Sequence, residues 1–144
     1  MCLLLYIATA APVKLGAAGK LTVEEVGPGV LQQLRPAFSK PEVRYVGVES
    51  RCSCAFRHVI AEEPMEYCDG MFADEGEEKR AEAIAVMTEL LDLVNDHLQD
   101  GVEIYPVWSG EQGSMPKGTC GLRAGEIRPD RFFFVEGFLY TLRA

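Results

Sequence analysis

Basic residues are scarce in this sequence: Lys and Arg number 14 against 22 Asp and Glu, which leaves a net charge of −8. A phosphate backbone or an anionic lipid surface is held by clustered cations, so neither nucleic acid nor a membrane is an expected partner. Histidine is rarer still, with only His58 and His97 to serve as a general base near neutral pH. No apolar run approaches the length of about 18 residues that a membrane span requires. The opening MCLLLYIATA includes an Ala-Thr-Ala, but no Lys or Arg precedes Lys14, so it lacks the basic start of a secretory signal. Cys2 also lies too early for a lipoprotein attachment site. The opening therefore reads as a buried first strand, and the expected location is cytoplasmic.

What is present has ordinary globular proportions, with 48 % hydrophobic and 25 % charged residues in a chain of 144. A chain of that length buries about two-thirds of its unfolded surface. No repeat or linker interrupts it, so residues 1–144 are expected to form a single domain. The five cysteines, Cys2, Cys52, Cys54, Cys68 and Cys120, are odd in number and irregularly spaced in a chain too large to need staples. They read as reduced thiols.

Leu3 to Thr9 is a continuous apolar run of strand length, followed by a Pro/Gly/Ala-rich connection. Leu21 to Val26 alternates weakly as a second strand, and Val30 to Phe38 suggests a short helix, interrupted at Pro36. Val43 to Val48 alternates with period two, placing Val43, Tyr45 and Gly47 on one side and Arg44, Val46 and Val48 on the other. The end of the Cys52–Ile60 segment suggests an antiparallel strand. Residues 61–75 form a long acidic loop, expected to be mobile.

The strongest periodicity runs from about Gly76 to Gln99, where Ile84, Met87, Leu91, Val94 and Leu98 recur at helical steps. Asp74 with Glu77 suggests a capping box, and Gly101 a stop, defining about 36 Å of helix. Val102 to Trp108 reads as a strand that Pro106 pushes to a sheet edge or a bulge. Ser109 to Gly125 is rich in glycine. Arg131–Val135 and Phe138–Leu142 suggest a hairpin turning at Glu136-Gly137. Clustered strands around one long helix and one short helix indicate an α+β fold on a mainly antiparallel sheet, with mixed pairing allowed.

The sharpest chemical feature is Cys52-Ser53-Cys54. In an extended segment the two sulfurs project to one side from Cα atoms about 6.5 Å apart, awkward for a mutual disulfide. Two such thiolates supply half a tetrahedral zinc site; His58 and Cys120 are candidate further ligands, with Cys68 and Cys2 as others. The competing reading makes these cysteines small buried hydrophobes beside Phe56, with no metal and no cofactor, and that is the expectation. A third reading lowers one thiol's pKa through Arg51, Arg57 or His58 for nucleophilic or redox chemistry.

Between Glu62 and Glu78 every charged residue is acidic, in a spacing that does not match an EF-hand. A solvated loop leading into the positive end of the long helix accounts for it. Trp108, Glu111 and Gln112 follow a strand end, where open sheets place ligand-binding groups. Lys117-Gly118-Thr119 is not a phosphate-loop order, which excludes that motif.

Met1-Cys2 running into Tyr6-Ile7-Ala8-Thr9, then Phe38-Ser39-Lys40-Pro41, Tyr45-Val46-Gly47, Cys52-x-Cys54-x-Phe56, and Glu103-Ile104-Tyr105 before Trp108-x-Gly110-Glu111 resembles a group of small bacterial proteins with no established activity. That group carries glycines beside the paired cysteines, where Arg51, Ser53 and Ala55 stand here. The resemblance implies a discrete single-domain unit and supplies no mechanism. The functional expectation is a non-enzymatic binding or interaction module, one that forms a homodimer or takes a protein partner. The alternative is a small thiol- or metal-dependent protein using Cys52 and Cys54.

Overall fold

The computed structural model describes residues 2–144. In chain order the strands are β1 (Leu3–Thr9), β2 (Gly16–Ala18), β3 (Leu21–Glu25), β4 (Glu42–Val48), β5 (His58–Val59), β6 (Val102–Trp108), β7 (Gly118–Arg123), β8 (Phe134–Val135) and β9 (Phe138–Arg143). Helix α1 (Pro28–Leu34) continues into a 3-10 turn over Arg35–Ala37, and α2 (Glu77–Val94) into another over Asn95–Asp100. No helix is long and apolar enough to cross a membrane.

β1 is apolar throughout because it is covered on both faces. It lies fourth in a seven-stranded sheet of order β2-β3-β4-β1-β6-β9-β7, antiparallel except for the β9–β7 pair. Alternate side chains then enter two cores. Leu5 and Ile7 join Val46, Val86, Leu90 and Phe134 under α2, whereas Tyr6 and Ala8 join Leu34, Phe38 and Tyr105 under α1. The fold is α+β with one long and one short helix on a mixed, mostly antiparallel sheet.

Several local expectations are corrected. β6 is not at an edge: it sits between β1 and β9 with Pro106 opposite Leu5. Proline is tolerated there because Leu5 directs its N–H to Ser53, and β9 pairs with β6 only over Val102–Ile104. The Pro106 carbonyl is still used, accepting the Gly137 N–H at 2.8 Å. The C-terminal hairpin does not close either. Gly137 makes the turn at φ 84°, but β8 pairs in parallel with β5, so β5 also runs parallel and not antiparallel. Tyr140 holds the two arms together, its hydroxyl accepting the Val135 N–H at 2.7 Å.

Helix α2 begins after Gly76 with no side-chain cap, so the Asp74–Glu77 box is not formed. Turns at Gly70–Ala73 and Phe72–Glu75 end one residue before the helix and turn Glu75 towards Arg57. The strands β2 and β7 were hidden by their glycines. At Gly118 a Cβ would lie 3.0 Å from the Phe138 ring, so glycine there permits the close β7–β9 approach.

Candidate functional site

The thiols of Cys2, Cys52 and Cys54 meet at the end of the β1–β4 ladder. Glu49 and Ser50, at φ 53° and 61°, form a left-handed turn that sends the chain back beside β1. The returning segment lies close on β4, and this requires Gly47, where a Cβ would stand 2.3 Å from the Arg51 carbonyl oxygen. The Tyr45 hydroxyl donates to that same carbonyl at 2.9 Å.

Ser53 locks the segment in place. Its N–H donates to the Leu3 carbonyl at 2.9 Å, extending the ladder past the last β1–β4 pair. Its fully buried hydroxyl accepts the Leu5 N–H at 2.9 Å and donates to the Val46 carbonyl at 2.6 Å. With Ser53 facing the sheet, Cys52 and Cys54 share the other side. Cys2 is fixed through its carbonyl, which accepts the Ser109 N–H at 2.9 Å. The result is three sulfurs all within 4.8 Å of one another.

The three thiols are not equivalent. Cys52 is lowered below the ordinary thiol value, first by a hydrogen bond from the Cys54 backbone and further by the Cys54 and Cys2 thiols. Cys54 is pushed up to about 11, first by desolvation and then by the hydrogen bond it gives Cys52. The Cys54 sulfur also accepts the Leu3 N–H at 3.2 Å. Cys52 is therefore a thiol disposed to lose its proton beside two neighbouring thiols, and all five cysteines of the chain are free of disulfides. Cys2 and Cys54 are exposed and Cys52 is half-buried, so the Cys52–Cys54 pair is not the buried packing element expected.

Metal–thiolate bonds of about 2.3 Å place sulfurs on one ion somewhat under about 4 Å apart. The other candidate ligands do not join the cluster. His58 Nδ1 lies 2.6 Å from the Phe56 carbonyl, which only accepts, so Nδ1 carries the proton; the ring meets Trp108 edge-on at 5.6 Å. Cys120 is half-buried on β7 opposite Tyr140, its thiol raised by burial. Cys68 is exposed in the acidic loop.

A cleft of about 570 Å³ adjoins the cluster, between the Arg51–His58 segment and the start of α2. Cys52, Cys54, Arg51, Phe72, Lys79 and Glu82 are on its walls. A second cleft of about 370 Å³ opens on the opposite face beside Tyr6, Tyr45 and Val30. Neither is lined by Trp108, Glu111 or Gln112. These three diverge: Trp108 meets His58, exposed Glu111 donates its N–H to the Trp108 carbonyl at 2.9 Å, and Gln112 turns towards the Tyr6 hydroxyl at 3.5 Å. Cys2, which the sequence offered only as one of several further ligands, is the one that joins the pair. The signal was the juxtaposition of an early cysteine with a strand that proves central.

No protein-family model, curated protein or solved structure matches this chain.

Proposed function

We propose that this protein is a binding module for a soft metal ion, held by Cys2, Cys52 and Cys54. The observation that carries the reading is the convergence of three thiols within 4.8 Å from two separate parts of the chain. Thiolate sulfur selects soft and borderline ions such as copper(I) and zinc. One thiol is already disposed to lose its proton, and bound metal would displace the others. A reducing, cytoplasmic setting suits ligands that must stay free of disulfides. The acidic net charge of −8 argues against nucleic acid as the partner. The role is binding, and it takes up the metal-dependent alternative that the sequence offered for Cys52 and Cys54 in place of the favoured metal-free interaction module.

The test is an anaerobic titration of the reduced protein with Cd²⁺, following the thiolate-to-metal absorption in the ultraviolet. One ion per chain is expected, with binding lost in C2S, C52S and C54S and kept in C68S and C120S. No saturable absorption, or equal binding by the triad variants and the wild type, would refute the proposal.

A further inference from the structure

We propose that the cluster, if it is the soft-metal site argued above, is built for a monovalent three-coordinate ion, copper(I), in preference to zinc. The first ground is ligand number. The described residues bring only three Cys, His or carboxylate ligand atoms together here, all of them sulfur. Zinc in a structural site takes four protein ligands, whereas three thiolates saturate a copper(I) ion that has no need of a fourth.

The second ground is that, among the described residues, no fourth His, Cys or carboxylate ligand atom joins the three sulfurs. His58 is the closest candidate in sequence to Cys54, and its ring is held by the Phe56 carbonyl and Trp108.

The third ground is the surrounding polarity. Three thiolates around a monovalent ion leave a double negative charge, which needs donors and cations close by. The Leu3 amide already donates to the Cys54 sulfur at 3.2 Å. Arg51, next to Cys52 in sequence, lines the adjoining cleft with both cysteines, while the cations and carboxylates of the cleft as a whole balance. N–H donors of this kind stabilise sulfur-centred charge without entering the coordination sphere.

The ligand frame is also rigid where it matters. Ser53 fixes Cys52 and Cys54 against β1 and β4, while the Ser109 amide fixes Cys2 beside β6. Sulfurs projected from a shared sheet end favour one compact trigonal arrangement over a tetrahedron that must reach into solvent for its last corner.

The experiment loads reduced full-length protein anaerobically with copper(I) from a chromogenic copper(I) chelator, then challenges it with Zn²⁺ in roughly hundredfold excess. One copper per chain that resists zinc, with X-ray absorption showing three sulfur neighbours, is the expected result. C2S, checked for native far-UV circular dichroism, should bind copper at least about tenfold more weakly, since it loses one of the ligands that select the ion. Displacement of copper by zinc, or a tetrahedral Co²⁺ spectrum with binding tighter than copper, would overturn the copper preference and leave the soft-metal reading intact. Unchanged copper affinity in C2S would overturn the three-coordinate site. Failure to bind copper, zinc or cadmium would overturn both.

Discussion

Arg57 and Glu75 form the ion pair most removed from solvent among the described residues, with side chains 3 % and 10 % exposed. The guanidinium meets the carboxylate at two points, Nε to Oε1 at 3.1 Å and Nη2 to Oε2 at 2.8 Å. Its remaining arm donates to the Asp130 carbonyl at 2.6 Å, and its plane lies over Phe72. One residue thus joins the segment after the thiols, the end of the acidic loop and the approach to β8. The Arg57 hydrogen bonds hold the Glu75 carboxyl below its ordinary value of 4.5. A carboxyl lowered on folding adds stability that is complete above its unfolded value and lost as pH falls through its folded one. Stability should therefore drop as pH goes below about 4.5, and by less in E75Q. At neutral pH E75Q should cost about 3–5 kcal/mol in urea unfolding, because Arg57 is left buried without its counter-charge. A loss below about 1 kcal/mol, the range of an exposed pair, would count against this account. The sequence showed both charges but assigned Glu75 to a solvated acidic run; only the chain path through the Gly70 and Phe72 turns reveals the pairing. The Cys52 and Cys54 projection was legible from strand geometry alone. Ser53 was not, since a hydroxyl that spans two main chains leaves no trace in spacing.

At the level of elements, the long helix was legible as to existence and extent, and its stop at Gly101, φ 79°, is as expected. Its inward face was displaced. The buried positions are Ala83, Val86, Met87, Leu90 and Val94, whereas Ile84 and Leu91 are half-buried, Leu91 at the margin of the same core. Apolar residues at both 90 and 91 make two adjacent columns, and the periodicity alone does not say which faces the sheet. The tertiary contact decides it: Leu90 enters the core and Leu91 lies at its margin, while Glu89 reaches the β2–β3 turn and accepts the Lys20 N–H at 2.9 Å. L90A should destabilise by about 2–5 kcal/mol by leaving a cavity in the core. L91A should cost clearly less in the same denaturation measurement; the reverse order would mean that the helix is rotated. Strand pairing was less legible than helicity for a physical reason. Pairing partners such as β5 and β8 are remote in sequence, and two-residue strands carry no period to read.

On the scale of the whole molecule, the two cores share one sheet, so neither face can be lost without exposing the other side of the same strands. Unfolding should be a single transition, with Trp108 fluorescence and far-UV circular dichroism giving coincident curves in urea. Separate midpoints would contradict it and would divide the single domain expected from length and composition. The acidic loop is tied to this body at its middle: Arg131 lies 4.4 Å over the Tyr67 ring and reaches Asp69 at 3.1 Å, and Phe72 packs on Phe133. The position of β1 has a further consequence, for the order of events in folding. This strand opens the chain, yet its two partners are β4 and the distant β6, with Leu3 opposite Trp108. During synthesis its apolar surface acquires one neighbour when β4 emerges and must wait through the whole of α2 for the other. Closing so long a loop carries an entropic cost before the contact rewards it, so this topology belongs to the slower, high-contact-order class of folds. The thiol cluster inherits that delay, because the Ser109 amide that fixes Cys2 arrives only with the end of β6.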